Sequence, residues 1–266
     1  MIVNLRDDFA RAFAEQDPFA AVDALQGEVF RQVKGRRTLR FEFEGKRYFA
    51  KIHHGVGWGE IIKNLLSFKR PVLGAENEWC AIAHLKAIGV DTMTAVGFGS
   101  KGLNPARRHS FILTEALEET VSLETVCASW PRQAPGVQQK WRLIEALGRI
   151  ARAMHGAGMC HRDFYLCHFL LHDAEAFMAG EQREPRLSLI DLHRALVRRH
   201  LSPRWVIKDI AGLMFSALHI GLTQRDYLRF ARAYHAMPLR DTLTGQRAFW
   251  EQVTRRAQAL DAKLNS

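Results

Sequence analysis

Residues 138–171 constrain the fold more than any other stretch of the chain. Trp141, Ile144, Leu147, Ile150 and Met154 recur at helical spacing, so Gln138 to Gly156 reads as one long helix with a single apolar stripe. The helix delivers the chain to Cys160-His161-Arg162-Asp163. His168 follows five residues after the aspartate, and the apolar run Phe169-Leu170-Leu171 then begins a short strand. A polar loop is therefore pinned between two apolar elements. Taken alone, it is either a surface loop with an aspartate beside an arginine or a loop that presents a carboxylate for chemistry. The flanking elements decide between the two.

Upstream lies a run of strands. Val29 to Val33 is the first. Thr38 to Glu44 alternates, with Leu39, Phe41 and Phe43 on one side and Arg40 and Glu42 on the other, and Gly45 turns the chain into Tyr48 to Ile52. This third strand carries Lys51 between apolar neighbours, where its charge needs a partner unless the strand is an edge facing water. Glu76-Asn77-Glu78 opens the next helix, which Gly89 ends. Glu78, Ile82 and Leu85 share one face, so Glu78 is the expected partner of Lys51 and Glu76 the fallback. Thr92 to Gly99 and Ser110 to Glu115 read as two more strands. Before all of these, Phe9 and Phe13 suit a short helix closing near Asp17-Pro18, and Phe19, Val22 and Leu25 repeat at helical spacing.

Downstream, Ser122 to Trp130 is expected to be a short helix. Phe169 to His172 and Leu187 to Ile190 form a strand pair separated by the polar stretch 173–186, and Asp191 stands at its end, 28 residues after Asp163. Trp205 to Leu218 is an apolar helix containing Asp209, a buried acid that needs donors. Leu222 to Tyr234 and Pro238 to Leu264 read as terminal helices with arginine-rich, solvated outer faces.

Charge speaks to partners. Of 266 residues, 38 are Lys or Arg against 28 Asp or Glu, a net charge of +10. Nucleic acid, an anionic leaflet and phosphorylated substrates all suit that charge, but no nucleic-acid signature with interleaved aromatics is present. Segment 53–75 holds Trp58 among glycines, then Ile61, Ile62, Leu65, Leu66 and Phe68 with Lys63, Lys69 and Arg70, the composition either of a helix packed on its own domain or of a basic amphipathic helix at a membrane surface. No run of roughly 18 apolar residues suggests a membrane span. Asp7 and Asp8 near the start do not suit a signal peptide. Four cysteines fit reduced thiols in a cytosolic protein. A zinc site from Cys160, His161, Cys167 and His168 is a weak rival, because adjacent ligands diverge.

The loop H-R-D-x-x-x-x-H resembles the H-R-D-x-x-x-x-N catalytic loop of protein-kinase-like phosphotransferases. More specifically, Y-F-A-K-I-H, G-W-G-E-I-I-K-N-L-L, H-R-D-x-Y-x-C-H-F-L-L and I-D-L-H-R-A resemble the lipopolysaccharide core heptose(I) kinases over about residues 25–235. The resemblance implies a bilobal α+β, protein-kinase-like fold. Its N-lobe, residues 1–117, would be an antiparallel sheet plus helix that binds nucleotide, with 53–75 inserted; its C-lobe, residues 118–266, would be mainly helical and carry the catalytic loop and acceptor site.

The resemblance also implies ATP with Mg²⁺, Mn²⁺ being an alternative, and a lipopolysaccharide core acceptor. The enzyme would then be cytoplasmic and peripheral on the inner face of the inner membrane. Separately from the resemblance, the basic charge makes an acidic carrier protein a further candidate partner. Lys51 would hold nucleotide phosphates, oriented by Glu78. Gly35 would let backbone approach phosphate, with Arg36 or Arg37 adding charge, although the loop lacks G-x-G-x-x-G. The backbone of Glu115 to Leu117 would take adenine. Asp163 would accept the hydroxyl proton, and Arg162 would steady it or meet phosphate. Asp191 would hold the metal, His168 would contact phosphate, Asp163 or metal, and Asp209 and His161 would support the loop. Rival acceptors are a protein or another small molecule; a non-catalytic membrane-binding scaffold is the third reading.

Overall fold

Strand alternation builds the first sheet. The computed structural model describes residues 1–33, 35–66 and 74–264. It begins with β1 (Ile2–Leu5), α1 (Asp7–Ala12), α2 (Pro18–Asp23), β2 (Glu28–Val33), β3 (Arg36–Phe43), β4 (Lys46–His54), α3 (Gly57–Leu66), α4 (Glu76–Ala87), β5 (Ala95–Lys101) and β6 (His109–Glu115). Among the described residues, six strands pair antiparallel in the order β1-β5-β6-β4-β3-β2. Leu39, Phe41, Tyr48, Ala50, Ile52, Phe111 and Leu113 form one core with Phe9, Phe19 and Val22 of the two N-terminal helices. The β3–β4 hairpin turns through Glu44 and Gly45, both with positive φ, as a tight turn requires.

One strand is new and two expectations are corrected here. Ile2–Leu5 is an edge strand against β5 that no periodicity announced. The fourth long strand starts at Ala95, not Thr92; the Thr92 hydroxyl instead donates to the Leu189 carbonyl at 2.6 Å. Lys51 lies on a strand flanked by two others, so the water-facing edge reading is excluded.

The rest of the chain is β7 (Thr120–Ser122), α5 (Leu123–Cys127), α6 (Val137–Gly156), β8 (Met159–Cys160), β9 (Phe169–His172), α7 (Ala174–Ala179), β10 (Leu187–Leu189), β11 (Leu196–Val197), α8 (Pro203–Ser216), α9 (Gln224–His235), α10 (Leu239–Gly245) and α11 (Arg247–Leu264). The expected helix 122–130 is shorter, because Ser122 ends a strand on β9 and caps α5 through the Thr125 amide. The polar stretch 173–186 contains α7, and the last expected helix breaks at Gly245-Gln246. Gly148 lets α9 approach α6, since a Cβ there would stand 2.7 Å from that of Ala233.

The chain forms two compact units: Met1–His84 with Met93–Leu117 and Leu192–Arg194, and Leu85–Thr92 with Glu118–Asp191 and Ala195–Ser266.

Candidate active site

In the first unit, strand alternation turns Lys51 away from the aromatic core. Lys51 Nζ lies 2.6 Å from Glu78 Oε1, with the Glu78 side chain 1% exposed. Glu78 sits in the first turn of α4, where a carboxylate complements the helix dipole. The fallback, Glu76, is exposed and faces Arg108 at 3.7 Å.

His53 shares the Lys51 face and was not foreseen, although the two-residue alternation gave the signal. Burial, followed by the charges of Arg36 and Lys51, pushes its pKa down to about 3, so it is neutral. Arg36 is directly opposite it in register, whereas Arg37 donates to the Asp23 and Leu25 carbonyls. Gly35 must be glycine for packing: at φ +76 its Cβ would stand 2.3 Å from the Gly55 carbonyl. The Glu115 carboxylate pairs with Arg6 at 2.5 Å and its amide donates to the Thr94 carbonyl. Arg6 also donates to the Tyr48 hydroxyl and to Asp8, whose pKa it lowers to about 2. That pin on Glu115 was not legible in the sequence.

In the second unit, α6 ends and Gly158, at φ +79, passes under the Arg198 carbonyl into β8. Asp209 of α8 then takes hold of the loop. Its two oxygens accept from the His161 amide at 2.6 Å and the Arg162 amide at 2.8 Å. Hydrogen bonds to a charged group contribute about 1.5–3 kcal/mol each. Gly212 lets the same helix come within contact of the Phe164 carbonyl.

His161 is fully buried. Its Nδ1 accepts from the Asp163 amide at 3.3 Å, so Nε2 carries the proton and donates to the Ile190 carbonyl at 2.8 Å. Burial lowers its pKa, in keeping with the neutral tautomer. With both ring nitrogens engaged, the four-ligand zinc reading fails; burial also holds the Cys160 thiol up at about 12. Arg162, at φ 75, stacks over Trp205, 5.1 Å from its ring centre.

His168 Nδ1 donates to the Asp163 carbonyl at 2.7 Å, and Nε2 lies 3.6 Å from Asp191 Oδ2. Burial opposes protonation of His168, but Cys167, the Asp163 carbonyl and Asp191 outweigh it and raise its pKa to about 9. Asp191 itself is held at φ 61, a left-handed conformation that costs a non-glycine residue about 1–3 kcal/mol and recurs at functional sites. Asp191 offers carboxylate oxygen, which suits Mg²⁺ or Mn²⁺, whereas a protonated His168 has no nitrogen lone pair to offer. The residues fit a divalent cation held chiefly by Asp191.

The sequence profile of the Lipopolysaccharide kinase (Kdo/WaaP) family matches residues 20–234. The chain is 51% identical over 260 residues to the lipopolysaccharide core heptose(I) kinase WaaP of Pseudomonas aeruginosa, covering 98% of this chain and 96% of that one. It is 50% identical over 256 residues to the protein of the same name from Escherichia coli, covering 96% of each. A solved structure of WaaP in complex with acyl carrier protein superposes with a TM-score of 0.83 at 45% identity, covering 98% of this chain and 99% of that one. The fold is thus that of a kinase, and the chain belongs to the lipopolysaccharide kinase (Kdo/WaaP) family.

Proposed function

We propose that this protein transfers the γ-phosphate of ATP to a hydroxyl of the first heptose of the lipopolysaccharide inner core. The observation that carries the reading is the loop Asp209 braces, which presents Asp163 beside a His168–Asp191 pair, in a chain half-identical to two heptose(I) kinases. Phosphoryl transfer asks a protein mainly for positioning and charge. Lys51, oriented by Glu78, holds the nucleotide phosphates, with Arg36 adding charge and the turn at Gly35 lying close by. The backbone of Glu115 to Leu117 takes adenine. Asp163 accepts the hydrogen bond of the attacking hydroxyl, and Arg162 steadies the loop. Asp191 holds the divalent cation, with His168 as its neighbour. When bound, the cation neutralises charge on the phosphate oxygens. The test is transfer of labelled γ-phosphate to purified core lipopolysaccharide lacking heptose phosphate. Nucleotide binding with an unlabelled core would overturn the acceptor.

The acceptor is lipid-anchored, and α3 supplies a surface to meet the membrane. Trp58, Ile62, Leu65 and Leu66 are exposed at spacings of one helix face, next to Lys63. Phe68, Lys69 and Arg70 lie outside the described residues. No helix among the described residues is long and apolar enough to cross a membrane. With ATP as donor and α3 as the membrane contact, the protein acts from the cytoplasmic side as a peripheral enzyme. Trp58→Ser with Leu66→Ser is expected to release it from anionic vesicles in flotation, with the labelled-phosphate activity on detergent-dispersed core unchanged. Undiminished flotation would remove α3 as the contact.

An acidic acyl carrier protein is the proposed protein partner. A cavity of about 590 Å³ within the second unit, lined by Leu123, Trp130, Leu147, Ile210, Leu213 and Tyr227, is apolar enough for the acyl chain such a carrier bears. The net charge of +10 suits an acidic partner. Native mass spectrometry of the purified protein is expected to show an acylated carrier bound. A bare chain that is stable and active would overturn this partner.

A further inference from the structure

A second cluster of ligating side chains stands on the face of the first sheet opposite Lys51. His54 continues the Tyr48, Ala50, Ile52 side of β4, and His109 continues the Phe111, Leu113 side of β6. The two histidines are directly paired in register across these strands, with ring centres 4.4 Å apart. Asp23, the last residue of α2, meets both. Its Oδ1 is 3.3 Å from His54 Nε2 and 3.4 Å from His109 Nε2, and the three ligand atoms lie within 4.8 Å of one another.

Distances and solvent shielding together separate two explanations. A charge-assisted His–Asp hydrogen bond closes to about 2.7–2.9 Å, although His155 and Asp209 also stand 3.4 Å apart, so the solvent-shielded atoms carry more of the argument than the lengths. Here Asp23 Oδ1 and His109 Nε2 are both shielded from solvent, yet neither has a hydrogen-bond partner among the described residues. Orphaned buried polar atoms are costly and point to a missing group. A tetrahedral Zn²⁺ with bonds of about 2.0–2.1 Å sets its ligand atoms about 3.3–3.4 Å apart. Two Asp23 distances fall on that edge length.

The surroundings prepare the ligands. Of the cations nearby, Lys101 is committed to Asp17 at 2.9 Å and Arg37 donates to the Asp23 backbone carbonyl at 3.2 Å. The chain beyond His54 is fixed: Gly55 has φ +87, and a Cβ there would stand 2.4 Å from the Ala106 carbonyl in the turn that leads to His109.

We infer that Asp23, His54 and His109 form a Zn²⁺ site that clamps α2 to the ends of β4 and β6. Three protein ligands and a half-exposed His54 leave the fourth position to water. The site is independent of the phosphate-transfer residues, none of which belongs to it.

The test uses the full-length protein as purified, stripped with a chelator and dialysed. Calorimetric titration with Zn²⁺ is expected to show one saturable equivalent, and Co²⁺ is expected to give the visible absorption of a tetrahedral nitrogen and oxygen site. Zn²⁺ is expected to raise the melting temperature of the wild type. Asp23→Asn and His109→Ala should each lose the equivalent, the Co²⁺ spectrum and the thermal shift. Should His109→Ala fail to fold, His54→Asn at the half-exposed position makes the same test. No saturable binding by the wild type, or the same equivalent retained by the folded variants, would overturn the site.

Discussion

Asp163→Asn is expected to lower transfer of labelled phosphate to the lipopolysaccharide core by roughly 10²–10⁴-fold, the range typical of general base catalysis, with the protein fully folded. The expectation rests on how the residue is held. Its amide donates to His161 Nδ1, and its carbonyl accepts from both His168 Nδ1 and the Tyr165 amide. All three contacts use the backbone, so Asn keeps them. The Asp209 brace acts on His161 and Arg162 and is untouched. What changes is the carboxylate proposed to accept the hydroxyl proton, replaced by an amide that cannot. The loss should therefore appear in kcat, while nucleotide binding and the melting temperature stay at wild-type values. Transfer within a few-fold of wild type would remove Asp163 from the base role. A melting temperature that fell with activity would make it a structural residue instead.

The loop and the Lys51 strand were legible because their signals are local. An aspartate between a long amphipathic helix and an apolar strand, and a lysine inside a two-residue alternation, are visible within a few residues of sequence. The Glu78 partner followed from helical spacing, since an acid in register with Ile82 must face inward. Asp209 was legible for a similar reason, as a single acid in an apolar helix, although the sequence could not say that it holds two amides at once. What escaped is long-range. Arg6 reaches Glu115 and Tyr48 from the junction between β1 and α1, next to an edge strand with no periodicity of its own, so the support of residue 115 was invisible. Three-residue strands such as Thr120–Ser122 are defined by their partners rather than by their residues. Asp23, His54 and His109 come from three separate elements, and none carries a metal-ligand spacing in the chain. The position equivalent to Asn in the loop illustrates the middle case. His168 was recognised as unusual, but its commitment to the Asp163 carbonyl depends on a ring orientation that spacing does not contain.

Lys51→Met should be costly in two separable ways. Glu78 is 1% exposed, one of its oxygens is held by Lys51 at 2.6 Å, and the other has no hydrogen-bond partner among the described residues. Removing the lysine therefore leaves a buried carboxylate without its counter-charge, which typically destabilises by about 3–5 kcal/mol. Methionine conserves most of the volume, so the loss reads out charge rather than a cavity. The second variant, Lys51→Met with Glu78→Leu, removes both charges. Replacing a buried ion pair by packed apolar groups is often neutral, so chemical denaturation should return most of the lost stability. Nucleotide binding should not return, because both variants lack the cation proposed to meet the phosphates. Stability recovered without nucleotide binding would assign the pair a functional rather than a structural purpose: the fold tolerates its loss, and the chemistry does not. If the single variant were as stable as wild type, the pair would not be buried and interdependent. If the double variant bound nucleotide normally, Lys51 would not be the phosphate ligand, and Arg36 on the same face would take its place.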